Sequence, residues 1–353
     1  MEMSSSTQAQ PPPIAASPPI LIPSDFMEKV LAPDRLIPHL RTTIPILTHP
    51  SSSTPHRQSF LVGDSSTLLL MPSFSTHASL PYIGVKLLTH FPSNAPPTPS
   101  IHASYALFSS LSGSPIAYLD GTLLTLLRTS AVSALASSFL SRPSSSTLVL
   151  VGAGALSPYL FRAHISARPG ISKTLVWNRT PGKSLSMVET LRACVEFDGR
   201  VRFEVAEQLE EAVREGDIVS CATSSEEPLV KGEWLKVGAH LDLVGSYTRQ
   251  MRECDDTAML RARGRVYVDC KEAAEEAGEI AGAVERGAMG RDDVEGTLTE
   301  LVTGTKMGRR SVEEVTVFKS VGNAGWDLAA AQLVYEDHSL SPPVMLADDS
   351  FVS

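Results

Sequence analysis

The chain has 353 residues, 42% of them hydrophobic, which is enough for two lobes with separate cores. A formal charge of −9 and the lack of any basic run argue against non-specific nucleic-acid binding, and no apolar stretch reads as both long and charge-free enough to cross a bilayer. Four scattered cysteines, Cys194, Cys221, Cys254 and Cys270, form no C-x-x-C pair, which points to a reducing compartment and away from a structural zinc.

Residues 1–19 are rich in Ser, Pro, Ala and Gln without Lys or Arg, and predict a disordered extension. A transit peptide should carry Arg, so the extension is an ambiguous targeting signal, and no secretory apolar core with a basic flank is visible. Residues 20–125 contain short apolar runs between turn residues: Ser66–Met71, Tyr82–Leu88, Ser104–Phe108 and Ile116–Leu119. Such spacing predicts a sheet-based lobe. Within it Lys86 interrupts the run Tyr82–Leu88 and, by period-two alternation, shares a face with Tyr82, Gly84 and Leu88. A lysine there is either a snorkelling edge charge or a site residue. Arg57 precedes the apolar segment Ser59–Val62, and its position alone decides nothing.

Residues 126–315 alternate helix and strand, the pattern of an α/β domain with a doubly wound parallel sheet. In Leu123–Ala134 an apolar run passes into a helix expected to start near Thr129 or Ser130, with Arg128 at its mouth. An arginine beside free helix N–H groups would make an anion site for a carboxylate or for cofactor phosphates; an ion pair with Asp120 is the alternative. Thr147–Val151 is a β-branched run that ends in Gly152-Ala153-Gly154 and opens into a helical pattern, followed by a second strand run, Thr174–Trp177. Strand, glycine turn, helix and strand make the first βαβ unit of a dinucleotide-binding fold. Gly152 permits the tight turn, Gly154 lets backbone approach a pyrophosphate, and Ala153, Ala155 and Leu156 complete the expected cradle. The third small position is Ser157 rather than Gly or Ala. Where an NAD site usually has Asp or Glu for the ribose, this chain has Asn178, Arg179 and Thr180. A guanidinium can grip a 2′-phosphate that a carboxylate would repel, so NADPH is the expected cofactor, with NADH weaker.

Further strands are predicted at Val201–Val205, Asp217–Cys221, His240–Val244 and Arg265–Val268, with Glu207–Arg214 as a crossover helix. Ala222 and Thr223, at the end of the second of these, join the expected cofactor set. Lys271–Glu279 reads as a solvated acidic helix face, and His102 and His240 as structural histidines. Asp242 could serve a site or a buried hydrogen bond, and Gly-x-Ser-x-Gly is absent. Residues 316–336, an apolar run and the helix Asp327–Tyr335, are expected to rejoin the first lobe, leaving 337–353 as a loose tail.

Several motifs in order resemble the ornithine cyclodeaminase/μ-crystallin family: Asp120-Gly-Thr122, Arg128–Ser133, Val151-Gly-Ala-Gly154, Trp177–Thr180, Glu233–His240, Val244-Gly245 and Val317–Gly322. The resemblance runs from about residue 20 to 336. Met71–Phe74, Ser109–Gly113 and Cys221–Ser224 look most like its plant branch, whose reductases form pipecolate, a lysine-derived signal in systemic acquired resistance, from a cyclic imine. The resemblance implies a homodimer with a Rossmann lobe and a discontinuous α+β substrate/dimerisation lobe, and a plastid or cytoplasmic location. It also implies that Arg57, Lys86 and Arg128 hold the substrate carboxylate, with Lys86 and Arg128 at the chemistry. Cyclodeaminases carry an Asp two residues after the Val-Gly pair as general base, where this chain has Tyr247. A phenol, with an ordinary pKa of about 10, is a poor base at neutral pH. The reaction implied is therefore NADPH-dependent reduction of a preformed ketimine, Δ1-piperideine-2-carboxylate or its pyrroline homologue. Ornithine cyclodeamination, amino-acid dehydrogenation and μ-crystallin-like ligand storage are the alternatives.

Overall fold

Period-two alternation becomes a sheet and the helix–strand alternation becomes a second, parallel one. The structure, a computed structural model, describes residues 18–95, 97–193 and 199–340; nearly all of the predicted N-terminal extension, Cys194 and most of the predicted tail lie outside them. The first lobe comprises β1 (Ile20–Leu21), α1 (Ser24–Val30), α2 (Pro33–Leu47), β2 (Ser52–Ser53), β3 (Gln58–Val62), β4 (Ser66–Ser75), β5 (Tyr82–His90), β6 (Ile101–Ser109) and β7 (Pro115–Asp120). Its strands form one mixed sheet in the order β1-β7-β6-β5-β4-β2, with β3 also on β4. Lys86 therefore lies in a central strand, in register with Met71 on β4 and Tyr105 on β6, and not on an edge. Tyr82, Gly84 and Lys86 face inward as the alternation requires. The sequence reading missed α1 and α2. Leu36, Leu40 and Ile44 of α2 are buried at helical spacing, but Pro38 and Pro45 inside the helix mask that periodicity.

The long helix α3 (Gly121–Leu140) joins the lobes. It starts well before the predicted Thr129, because the Asp120 carboxylate caps it, accepting from the N–H groups of Thr122 at 2.8 Å and Leu123 at 3.0 Å. Arg128 is thus two turns inside the helix, where the backbone N–H groups are spent on the helical ladder, so the predicted helix-mouth anion site does not form. Contrary to the sequence expectation, this helix is long and apolar enough to cross a membrane, with mean hydropathy 1.4. Its apolarity has a different outlet: 78% of that window is buried in the protein, against α2, α11 and β6 on one side and α4, β12 and β15 on the other.

The second lobe runs β8 (Thr147–Val151), α4 (Ser157–Ala167), β9 (Lys173–Trp177), α5 (Pro181–Arg192), β10 (Arg202–Val205), α6 (Leu209–Glu215), β11 (Ile218–Cys221), β12 (His240–Leu243), α7 (Asp256–Arg261), β13 (Val266–Val268), α8 (Ala273–Glu276), α9 (Gly278–Glu285), β14 (Val294–Thr297), α10 (Leu298–Val302) and β15 (Thr316–Lys319). Its eight strands are parallel in the order β10-β9-β8-β11-β12-β15-β13-β14, with separate cores on the two faces. The order reverses between β8 and β11, which opens the crevice where doubly wound sheets bind ligands. One boundary moves. β15, expected to rejoin the first lobe, is buried on both faces between β12 and β13, as its unbroken apolar run demands of a parallel strand. Only α11 (Ala324–Leu340) returns, packing on α2, α3, β4 and β5 and extending past the predicted start of the loose tail.

Candidate functional site

The carboxyl end of β8 carries the glycine turn. Gly152 adopts φ +109°, and a Cβ there would stand 2.7 Å from the carbonyl oxygen of Ala222 on the neighbouring strand end. Both facts require glycine. A Cβ built on Gly154 meets nothing within 4 Å, so the turn presents open backbone ahead of α4, as a pyrophosphate would require. Asn178, from the end of β9, braces this turn: its Oδ1 accepts from Ala153 N at 3.1 Å and its Nδ2 donates to Thr180 O at 3.0 Å. Arg179 and Thr180 are exposed beside it. The residues present fit a dinucleotide, with Asn178 shaping the cradle and Arg179 free to face a ribose substituent.

Below the ends of β11 and β12 lies a buried network that the sequence reading missed. The Glu253 carboxylate accepts from Thr223 N (2.6 Å), Thr223 Oγ1 (2.9 Å), Gly245 N (2.9 Å) and Ser246 N (3.3 Å). Behind it, Glu279 accepts from Glu253 N at 2.7 Å and stands 3.6 Å from Lys319 Nζ, which also donates to Ser246 Oγ. Burial pushes the Glu253 carboxyl up to about 7, Lys319 opposing the rise and Glu279 adding to it. The Lys271–Glu279 segment is therefore not a purely solvated face, since Glu279 is fully buried. Asp242 is structural here, bonded to Ser133, Ser220 and His164 inside the sheet. His240 is likewise buried against Thr316, its pKa lowered to about 3 chiefly by burial.

Two of the three expected cations converge on one carboxylate. Lys86 of β5 is 1% exposed, Arg128 of α3 is 3% exposed, and both bind Asp327 of α11, which is fully buried. The Lys86 Nζ–Asp327 Oδ2 and Arg128 Nε–Asp327 Oδ1 distances are both 2.8 Å, and Lys86 Nζ also donates to Thr125 Oγ1 at 3.3 Å. Asp327, not Asp120, is the ion-pair partner of Arg128, because Asp120 is committed to its helix cap. Two cations on one carboxylate leave a surplus positive charge in a dry place. Arg128 Nη1 has no hydrogen-bond partner among the described residues, and it lies against Gly322, where a Cβ would come within 3.3 Å. Burial lowers the Lys86 pKa to about 8; Asp327 opposes the fall, and Arg128 and Arg57 add to it. Arg57, between β2 and β3, pairs instead with Glu276 of α8, and both line a cavity with Met71, Cys270, Gly322 and Asn323. The sequence reading had no signal for Asp327 or Glu276, each distant in the chain from its partner, nor for Glu253, whose partners lie in loops. Tyr247 is half-buried against the second-lobe core.

A Rossmann lobe with an open glycine turn, beside a sheet lobe that carries a buried, net-positive cluster, defines a two-lobed protein with a dinucleotide-binding type of fold. The chain belongs to the ornithine cyclodeaminase/mu-crystallin family, which matches residues 26–341. It is 48% identical over 322 residues to the protein SAR DEFICIENT 4 of Arabidopsis thaliana, covering 91% of this chain and 98% of that one. It is 35% identical over 304 residues to a Delta(1)-pyrroline-2-carboxylate reductase of Colwellia psychrerythraea, covering 83% and 93%. Among solved structures, the Delta(1)-pyrroline-2-carboxylate reductase of Thermococcus litoralis, in complex with NADH and L-proline, superposes with a TM-score of 0.84 at 29% identity, covering 92% of this chain and 99% of that one.

Proposed function

We propose that this chain is a nicotinamide-dependent oxidoreductase that reduces a cyclic ketimine carboxylate to the cyclic amino acid. The observation that carries the reading is the unpartnered Nη1 of Arg128 in a buried trio with one surplus positive charge. A substrate carboxylate supplies the missing negative charge, and each charge-assisted hydrogen bond to it contributes roughly 1.5–3 kcal/mol. Lys86 and Arg128, held rigid by Asp327, fix that carboxylate, and Arg57 closes on it from the cavity side. Gly152–Leu156, Ala222, Thr223 and the Asn178–Thr180 corner hold the cofactor, whose reduced nicotinamide supplies the hydride. Holding the imine carbon in place accounts for much of the acceleration expected of such a site.

Within that class, the resemblance to the plant branch supports Δ1-piperideine-2-carboxylate as substrate and pipecolate as product, in the defence-signalling role that the plant relative's name carries. The exposed Arg179 supports NADPH over NADH. Tyr247 in place of a carboxylate base counts against cyclodeamination, since reducing a preformed imine needs no such base. The first sheet's outer face supports a homodimer: Pro72, Phe74, Val85, Leu87, Ala106 and Tyr118 line it in registered neighbours, with Phe74, Leu87 and Tyr118 exposed. Apolar patches of this kind mark interfaces, and sedimentation of the purified chain tests it. The plastid address rests on the plant resemblance, and a fluorescent fusion in leaf cells tests it. The decisive assay mixes the protein with NADPH and either Δ1-piperideine-2-carboxylate or Δ1-pyrroline-2-carboxylate, follows the reduced nicotinamide absorbance, and resolves the product by chirality. Turnover of neither imine overturns the reading.

A further inference from the structure

We propose that Glu276 is the counter-charge for the substrate's protonated ring nitrogen, so that the cleft recognises a zwitterion: its carboxylate by Lys86, Arg128 and Arg57, its iminium by Glu276. The proposal rests on the imine-reductase reading and deepens it. Arg57 comes from the first lobe and Glu276 from the second, so their ion pair bridges the cleft. Both side chains are about four-fifths buried, with exposures of 19% and 21%. They line one cavity with Met71, the cross-strand partner of Lys86, and with Gly322, which rests on the Arg128 guanidinium. Glu276 thus faces the space next to the carboxylate clamp.

Substrate binding changes the partners of this pair. Arg57 cannot turn fully to a substrate carboxylate without leaving Glu276, and a mostly buried carboxylate stripped of its partner is strongly unfavourable unless another cation replaces it. The reaction supplies one, since a cyclic imine is reduced as its iminium. Glu272 also lines the cavity but is exposed and is not the carboxylate paired with Arg57. Tyr247 brings no carboxylate to the position where cyclodeaminases carry one. The bookkeeping of the step is simple. The iminium already carries its proton; its carbon accepts the hydride, and the C=N π pair stays on nitrogen as the lone pair of the neutral amine, with oxidised nicotinamide as co-product. That nitrogen then takes a proton from solvent, and the resulting ammonium remains matched to Glu276.

The test follows how each of two ring carboxylates, one with a charged ring nitrogen and one without, responds to the same substitution, so that their difference in ring size and shape cancels. L-pipecolate carries an ammonium; pyrrole-2-carboxylate has the same carboxylate and no basic nitrogen. Calorimetry on the full chain with oxidised cofactor present should show E276Q weakening L-pipecolate by about tenfold while pyrrole-2-carboxylate binds equally or more tightly, its Arg57 now released. E276D should restore part of the discrimination. In turnover, E276Q should lower kcat more than it raises KM. His56, whose Nε2 is 3.6 Å from Glu276 Oε1, is another nitrogen beside that carboxylate, and H56Q should leave the discrimination intact. Parallel weakening of both ligands in E276Q, no change in either, or discrimination that follows His56 overturns the proposal. A wild-type chain that reduces neither imine defeats the reductase reading instead, and the ligand comparison still reports on Glu276.

Discussion

Each lobe buries an ionic trio, and the two are opposite in sign and in fate. Lys86, Arg128 and Asp327 carry one surplus positive charge; Glu253, Glu279 and Lys319 carry one surplus negative charge when both carboxyls are ionised. The second trio draws most of its compensation from backbone, while Glu279 Oε2 has the 3.6 Å ion pair to Lys319 and no hydrogen bond among the described residues. Three backbone N–H groups and the Thr223 hydroxyl converge on Glu253, tying the ends of β11 and β12 together beneath the glycine turn. In the first trio it is a cation that is left over, since Arg128 Nη1 has no hydrogen-bond partner among the described residues. A buried charge compensated by its own backbone is scaffolding, whereas one left over is an offer to a ligand. The sign of the remainder tells which ligand.

This contrast predicts separable failures. Glu253→Ala removes the acceptor from three N–H groups, one buried and two partly buried, so it should cost roughly 3–5 kcal/mol and lower the thermal midpoint by on the order of 10 °C. A midpoint within a degree or two of wild type would break the scaffold assignment. Arg128→Ala leaves Lys86 paired with Asp327, so the thermal midpoint should fall less while KM for the imine rises at least about tenfold. Unchanged kinetics would remove Arg128 from the clamp. A smaller effect comes from pH. Lys86 holds an anion only while protonated, and with its pKa near 8 that capacity is present below pH 8 and is lost as pH rises through it. Inhibition by pyrrole-2-carboxylate, whose ring nitrogen does not titrate there, should therefore weaken above about pH 8. Asp327→Asn removes the neighbour that holds the Lys86 pKa up, so the loss should begin at lower pH. Inhibition that is flat to pH 10 in both proteins would exclude Lys86. The smallest effect belongs to an exposed charge: Arg179→Asp should shift the NADPH/NADH ratio of kcat/KM toward NADH by about tenfold or less. An unmoved ratio would detach Arg179 from the 2′-phosphate.

What could be read in the sequence was local. The β8 turn, the face that Lys86 shares with Tyr82 and Gly84, and most strands follow from short-range periodicity and glycine placement, and they stand as expected; that this face is the buried one did not follow. The start of α3 was misplaced because an unbroken apolar run looks alike in a strand and in a fully buried helix; the Asp120-Gly-Thr122 cap was the signal that could have settled it. The partners Asp327, Glu276 and Glu253 were invisible for another reason. Asp327 and Glu276 meet their counter-ions only through the tertiary fold, 199 residues away for Arg128 and Asp327 and 219 for Arg57 and Glu276, and Glu253 is bound by loop backbone with no periodic pattern. No spacing rule reaches that far.

That separation has a consequence for biogenesis. Lys86 and Arg128 leave the ribosome long before α11, the element that carries their counter-ion. Until α11 arrives, a nascent front sheet would have to enclose two bare cations, which disfavours early closure. Chains cut short of α11 should therefore stay open and protease-sensitive in the front sheet, whereas the parallel sheet already holds all eight of its strands by Lys319.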